Sequence, residues 1–290
     1  MRQLQRRATW TGAILGTLAA LFVLGLQAHA SEQGPETEEF HQTYSLVANG
    51  RVELENINGA VHISAWDRTE VKVDAVKRAW SKQRLEEAKI RINASENSIS
   101  IRTVYPERNH TSWGNGHENQ PASVEYTVTI PRNARLDGAS IVNGSLDLDG
   151  LSGEIKASCV NGTLAAHNLG GRAELSTVNG KLEANLDRLE SPVDVSSVNA
   201  AVLLTLPSDA KAELEATTVK GAISDDFGLP VTKRRFIGRD LRGELGCGPH
   251  VRVSNVNGRI EIRHADDNRP QSPSKDLHHD HAEKGDDNTI

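Results

Sequence analysis

The stretch VNGTLAAHNLGGRAELSTVNG (Val160–Gly180) holds one whole period of a pattern that recurs along the chain. Val-Asn-Gly stands at Val142–Gly144, Val160–Gly162, Val178–Gly180 and Val256–Gly258. Val198-Asn199-Ala200 and Val219-Lys220-Gly221 are degenerate copies, and Ile57-Asn58-Gly59 lies far upstream. From Asn143 the marked position returns after 18, 18, 20 and 21 residues. Lys220 and Asn257 are then 37 apart, close to two more periods. A fixed period of about 20 residues signals stacked supersecondary units, each too small to bury its own apolar face.

The copies agree beyond the three-residue mark. Two residues before it stand Ile141, Cys159, Thr177, Ser197 and Thr218, and four before it Ala139, Ala157, Leu175, Val195 and Ala216. Three after it stand Leu146, Leu164, Leu182, Val202 and Ile223. The positions between are mostly polar, so apolar residues alternate with period two on both sides of Asn-Gly, as in half-buried strands. Asn and Gly accept left-handed backbone angles, so the chain turns there. Asn58, Asn143, Asn161, Asn179, Asn199 and Asn257 are the expected structural turns. The fold class is all-β, read as a β-solenoid-like stack of 18–21-residue repeats with equivalent residues in columns. An antiparallel hairpin meander or prism is the alternative, because Asn-Gly between alternating strands is also a hairpin signal. The Val before each Asn favours the solenoid. At a corner the alternation can break, so these Val residues are expected to stack inside. The Asn amides are expected to bond along their column.

Residues 1–30 read as a secretory signal peptide. Arg2, Arg6 and Arg7 precede an apolar run, Ala13–Leu26, and an Ala28-His29-Ala30 cleavage site. The run is too short for a comfortable span, so no transmembrane segment is expected after cleavage. Removing the three Arg takes the formal charge from −6 to −9, a poor balance for binding nucleic acid. Export permits a disulfide. Cys159 nevertheless occupies a repeat column and Cys247 a degenerate stretch several coils away, so a small buried thiol is the better reading of Cys159.

Residues 31–43 are polar and read as a loose leader. The repeat domain is expected over 44–265, with its regular part at 137–225. One helix is expected near 81–89, where Ser81 can cap a run of helix formers. That helix and the irregular 226–250 are the expected caps of the stack. Val52–Gly59 aligns with Val251–Gly258 without a gap. Residues 266–290 are charged, rich in His and Asp and free of aromatics, so disorder is expected.

These motifs resemble a known family. Asn56–Asp67 (NINGAVHISAWD) followed by Val71-Lys72-Val73 is similar to the opening of the bacterial DUF4097 family, whose members are also called adhesin domains. Tyr126–Pro131 (YTVTIP), Val142–Gly144 and Gly150–Gly153 (GLSG) resemble that family's core. The likeness runs over roughly 44–265. It implies a β-solenoid-like fold on exported or envelope proteins and carries over no catalytic residues. The His-containing insertion and the His-rich tail depart from the pattern.

Little in the chain points to catalysis. Asp147, Asp149, Asp187, Asp194, Asp225 and Asp226 are candidate carboxylates for an acid–base or calcium site, but their repeat positions differ. No aromatic residue lies between Pro131 and Asp226 to stack on a sugar. Neither a nucleophile elbow nor a phosphate loop is present. His110, Trp113 and His117 form a candidate binding tip in the polar insertion 106–121. His278, His279 and His281 are candidate metal ligands in the tail. No cofactor is implied.

The expected function is therefore an exported, non-enzymatic binding, adhesin-like or scaffolding protein of the bacterial envelope, in the periplasm or at the surface. Its expected partner is an envelope protein or polysaccharide. A solenoid carbohydrate-active enzyme and an envelope-stress accessory are the alternatives. Mass spectrometry of protein exported by a bacterial host is expected to place the mature N terminus at Ser31; a retained residue 1–30 segment would refute cleavage.

Overall fold

The chain begins with β1 (Glu36–Ser45), β2 (Arg51–Asn58), β3 (Val61–Trp66) and β4 (Glu70–Ala79). The helix α1 (Lys82–Glu87) follows, then β5 (Lys89–Ala94), β6 (Ser98–Val104) and β7 (Ser123–Pro131). Four long strands come next, β8 (Arg135–Asp149), β9 (Ile155–His167), β10 (Ala173–Asn185) and β11 (Val193–Leu206). The last part holds β12 (Ala212–Lys220), β13 (Ile223–Asp225), β14 (Val231–Lys233), β15 (Arg239–Leu245), β16 (His250–Asn257), β17 (Ile260–His264) and β18 (Lys275–Asp276). The structure, a computed structural model, describes residues 34–106, 120–233 and 237–277. The elements above all belong to one unit, Pro35–Ile290.

Each repeat is one coil. A strand runs to the Asn, the chain bends at Gly, and a second strand runs away to a loop that starts the next coil. Successive coils pair in parallel and in register, Asn143 with Asn161, Asn161 with Asn179, and Asn179 with Asn199. This is the solenoid-like stack that the period predicts. Alternation sends the columns two and four before the Asn, and three after it, into the core. Leu146, Leu164, Leu182 and Val202 are each at most 1 % exposed. Leu151, Leu169, Leu186 and Leu206 fill the opposite corner and are equally buried.

The spatial order departs from the chain order at both ends. The β2–β3 coil lies between the β6–β7 coil and β8. The β16–β17 coil lies between β11 and the β12–β13 coil. The 37 residues from Lys220 to Asn257 thus carry the chain out and back into a slot. This explains why Val52–Gly59 matches Val251–Gly258: each is the second coil from its end. Antiparallel pairing, the alternative architecture, is confined to the ends. There β4 and then β1 extend from β7, β5 pairs with β6, and β14, β15 and β18 extend from β12.

Three expectations need correction. Within the expected leader 31–43, residues 36–43 are not loose: they belong to β1, which pairs with β4 over ten residues, its Phe40 and Tyr44 covering the core. Part of the tail is ordered, since β18 pairs with β15; residues 278–290 lie outside the described residues. The Val before each Asn is not inside. Alternation persists up to the Asn, so an inward residue at the second position forces an outward one at the next.

The helix sits where expected. Ser81 caps it, its Oγ accepting from Arg84 N at 3.4 Å. Lys77 holds its end from below, donating through Nζ to Leu85 O at 3.3 Å and Ala88 O at 3.2 Å, and pairing with Glu38 at 2.8 Å. A cation at a helix C terminus meets the unsatisfied carbonyls there.

Glycine is favoured at the corners of β9 and β10 for two reasons, although Ala200 takes the same position in β11. Gly162 has φ +149°, and a Cβ on it would lie 1.7 Å from Gly144 O of the coil before. Gly180 repeats the arrangement, at φ +135° and 1.8 Å from Gly162 O. In β11 Ala200 holds this position without a positive φ, so relief of either contact requires a change in the local backbone. Gly162→Ala is therefore expected to cost at least about 2 kcal/mol and to lower Tm by about 5 °C or more. Gly138→Ala, whose Cβ meets nothing within 4 Å, should leave Tm nearly unchanged. Thermal denaturation of both variants checks the contrast.

Candidate functional site

Three parallel rows run along the outside of the stack at the corner. The first is an amide ladder. Asn143 Nδ2 donates to Asn58 Oδ1 at 3.0 Å, Asn161 to Asn143 at 3.0 Å and Asn179 to Asn161 at 3.0 Å. Asn199 donates to Asn179 at 3.1 Å and Asn257 to Asn199 at 2.8 Å. All six expected turn residues thus form one chain of bonds, with every amide pointing the same way. Lys220 is in register with Asn257 and sets a cation at the oxygen end. At the other end Asn58 shares a hydrogen bond with Tyr105, whose pKa burial pushes up to about 12 against that bond. The Tyr105 hydroxyl donates to Ala122 O at 2.8 Å.

The second row is aliphatic: Ile57, Val142, Val160, Val178, Val198, Val256 and Val219. All but Val160 are between 38 and 48 % exposed. They make up six of the ten exposed large hydrophobic side chains among the described residues, so the row is a concentration and not scatter. The third row, two residues further back, is hydroxylic: Ser140, Ser158, Ser176, Ser196, Ser254 and Thr217. Ser140 and Ser158 bond through their hydroxyls at 2.9 Å. Rows on parallel strands advance by about 4.8 Å per coil, so the seven-membered row is about 29 Å long. Charge returns at the margin, where Lys156 lies 3.8 Å from Glu174 and Arg252 lies 3.2 Å from Glu215, and at the ends of the rows, where Glu55 is in register with Ser140 and Lys220 with Asn257. Between these ends the result is an uncharged band on a chain that is 25 % charged.

The turn asparagines are the sequence-predicted residues that the fold brings together. His110, Trp113, His117, His278, His279 and His281 lie outside the described residues. The aspartates do not gather: among the described residues no group of three or more His, Cys, Asp or Glu could hold a metal ion. Asp225 is the exception to their outward placement. It stands at the end of a core column, in register with Ile262, and its Oδ2 accepts from Leu229 N at 2.8 Å. Burial raises its pKa against that bond. Cys159 and Cys247 are both free. Cys159 is buried, its pKa raised by burial, and its Sγ donates to Gly144 O at 3.6 Å. The aliphatic and hydroxyl rows are what sequence reasoning missed, although unbroken alternation before each Asn was the signal for them.

A second ionic feature lies at the β1 edge. His41 Nδ1 is 2.7 Å from Asp74 Oδ1, and its Nε2 is 3.3 Å from Glu39 Oε2. Hydrogen bonds to Asp74 and then Glu39 raise the His41 pKa. Burial pushes Asp74 upward, but hydrogen bonds from Lys72 and His41 outweigh it and hold its pKa below the ordinary value.

No protein-family model matches the chain, and no curated protein matches it. Among solved structures it is similar to a provisionally named cell adhesion protein from Clostridium sporogenes, at 12 % identity and a TM-score of 0.45. That match covers 79 % of this chain and 100 % of the other. A provisionally named adhesin from Bacteroides fragilis is similar at 11 % identity and a TM-score of 0.32, covering 80 % and 100 %. A provisionally named lipid binding protein from Parabacteroides distasonis is similar at 10 % identity and 0.29, covering 81 % and 98 %. Likeness at this level carries no functional weight.

The His41 cluster gives β1 a pH dependence. A raised histidine pKa stabilises in full below about 6.5 and is lost as pH rises through the folded value. The lowered Asp74 pKa acts in the other direction, its contribution being lost as acid pH falls through the folded value. Hydrogen-exchange protection of β1 amides is expected to fall between pH 6 and pH 8 once intrinsic rates are removed. His41→Asn should abolish the difference; equal protection of the native strand at both pH values would contradict the linkage.

Proposed function

We propose that the protein is an exported, non-enzymatic binding or scaffolding protein of the bacterial cell envelope, adhesin-like in how it works. The observation that carries this reading is the uncharged band beside the asparagine ladder. Exposed apolar patches that are contiguous and rimmed by polar residues mark interaction surfaces more often than isolated apolar residues do. Here the band is built on paired strands, so little conformational entropy is lost when a partner covers it. The resemblance to the DUF4097 family and the signal-peptide reading support export. A protein is the favoured partner and a polysaccharide the lesser one, since the band offers isopropyl and hydroxyl groups but no ring. Aliphatic sheet faces pack well against another apolar surface.

The test is recovery of partners from bacterial envelope fractions on immobilised mature protein, beside the double variant Val178→Lys, Val198→Lys. Both positions are exposed, so the variant should keep the wild-type Tm within about 2 °C. Capture of a specific partner is expected to weaken at least tenfold, equivalent to about 1.4 kcal/mol. An unchanged set of captured molecules would rule out the band as the binding face.

A further inference from the structure

Two residues before each Asn the side chain turns into the core beneath the corner. In spatial order this inner row reads Asn56, Ile141, Cys159, Thr177, Ser197, Asn255 and Thr218. Its early members are apolar or use protein partners, apart from Asn56 Oδ1, which is buried without a partner beside the aliphatic Ile141. Ile141 is aliphatic, Asn56 Nδ2 donates to Val124 O at 2.8 Å, and Cys159 Sγ donates to Gly144 O. From Thr177 onward the row is polar without interruption. Thr177, Ser197, Asn255 and Thr218 are 3, 6, 4 and 3 % exposed. Asn255 Nδ2 donates to Ala200 O at 2.9 Å. Thr177 Oγ1, Ser197 Oγ, Asn255 Oδ1 and Thr218 Oγ1 are buried with no partner in the protein. Four consecutive orphan oxygens in one row need a common cause, because native interiors pair nearly all buried polar atoms.

The row geometry supplies that cause. Register neighbours on parallel strands are about 4.8 Å apart at the backbone, and these four oxygens make no direct bond to one another, unlike Ser140 and Ser158 on the outside. One water between two such oxygens reaches both at hydrogen-bond distance, with an open angle that suits water. Space is consistent with this. The ladder and backbone pairing hold the coils at one spacing, while Ser197 has two heavy atoms fewer than Ile141 in the same row. A cation fits poorly, since the oxygens are strung in a line instead of converging and no carboxylate joins them. We propose that Thr177, Ser197, Asn255 and Thr218 bind a single file of ordered water, one molecule between each neighbouring pair, along the inside of the Asn-Gly corner. The file crosses both sides of the β16–β17 coil, so the coil inserted out of chain order is seated on water at its corner.

Near-isosteric variants test this. Thr177→Val and Ser197→Ala, singly and together, are compared by Tm with wild type. Each single change is expected to lower Tm by about 2–4 °C. The double change should lower it by less than the sum, because both remove partners of the same water. A rise in Tm for Thr177→Val would mean a merely orphaned oxygen, and additive losses would mean independent bonds to corner carbonyls; either overturns the file. A crystal structure of the wild-type protein at about 1.5 Å gives a second readout, which does not depend on the variants folding. Three density peaks within about 2.6–3.2 Å of these oxygens are expected. Empty density, or a peak with cation-like ligand distances, would also overturn it.

Discussion

In-register contact at the Asn-Gly corner is the constraint on which the structure depends. The corner glycines Gly144, Gly162, Gly180 and Gly258 each lie so close to a carbonyl of the neighbouring coil that a Cβ would meet it, and Ala200 holds the same place in β11. Close approach at the corner, with the strand pairing, keeps the coils in phase. Once phase is shared, like residues must stand on like, and three consequences follow without further specification. The core columns fill with aliphatic side chains, the asparagines bond into a ladder, and the outward residues form rows. A one-residue slip would turn each core column to the solvent, so the register is strongly specified wherever apolar residues line the inner face.

Stacking alone leaves unpaired strand edges at each end, a liability for aggregation. The chain manages this by closing both ends with antiparallel strands and by placing its first and last full coils one step inside. Charge does the rest. Glu36, Glu38 and Glu39 line the outermost strand at one end, and Lys77 joins that strand to the helix through Glu38. The amide ladder meets Tyr105 at one end, and at the other Lys220 follows it in register. Lys220 breaks the Asn consensus at the oxygen terminus of an aligned row of amides, where a positive charge has the favourable sign.

The same corner faces two ways. Outside it presents isopropyl, hydroxyl and amide rows that are uncharged between Glu55 at one end and Lys220 at the other. Inside, the row beneath it passes from Ile141 through Cys159 to Thr177, Ser197, Asn255 and Thr218. A corner residue therefore has to satisfy the turn, the neighbouring coil and the surface together. This is why the repeat is most regular there and drifts elsewhere, as in the loops at the opposite corner, which vary from coil to coil.

Much of the fold was legible in the chain itself. Period, alternation and the chemistry of Asn and Gly pointed to stacked coils, their core columns, the ladder from Asn58 to Asn257 and the cap at Ser81, because these depend on neighbours a fixed number of residues away. They left an antiparallel meander open, and the pairing of the coils settled it. Less of the site was legible. Val142 and its equivalents were expected inside, since an exposed aliphatic row runs against burial. Unbroken alternation up to the corner places them outside, where the row becomes a surface feature. Only the tertiary structure decided that residues 250–264 lie between β11 and β12 and that β1 is ordered against β4. Both are matters of which coil or strand meets which across long stretches of chain. Local pattern carries no information about such partners, because any coil of this repeat presents nearly the same edge to its neighbour.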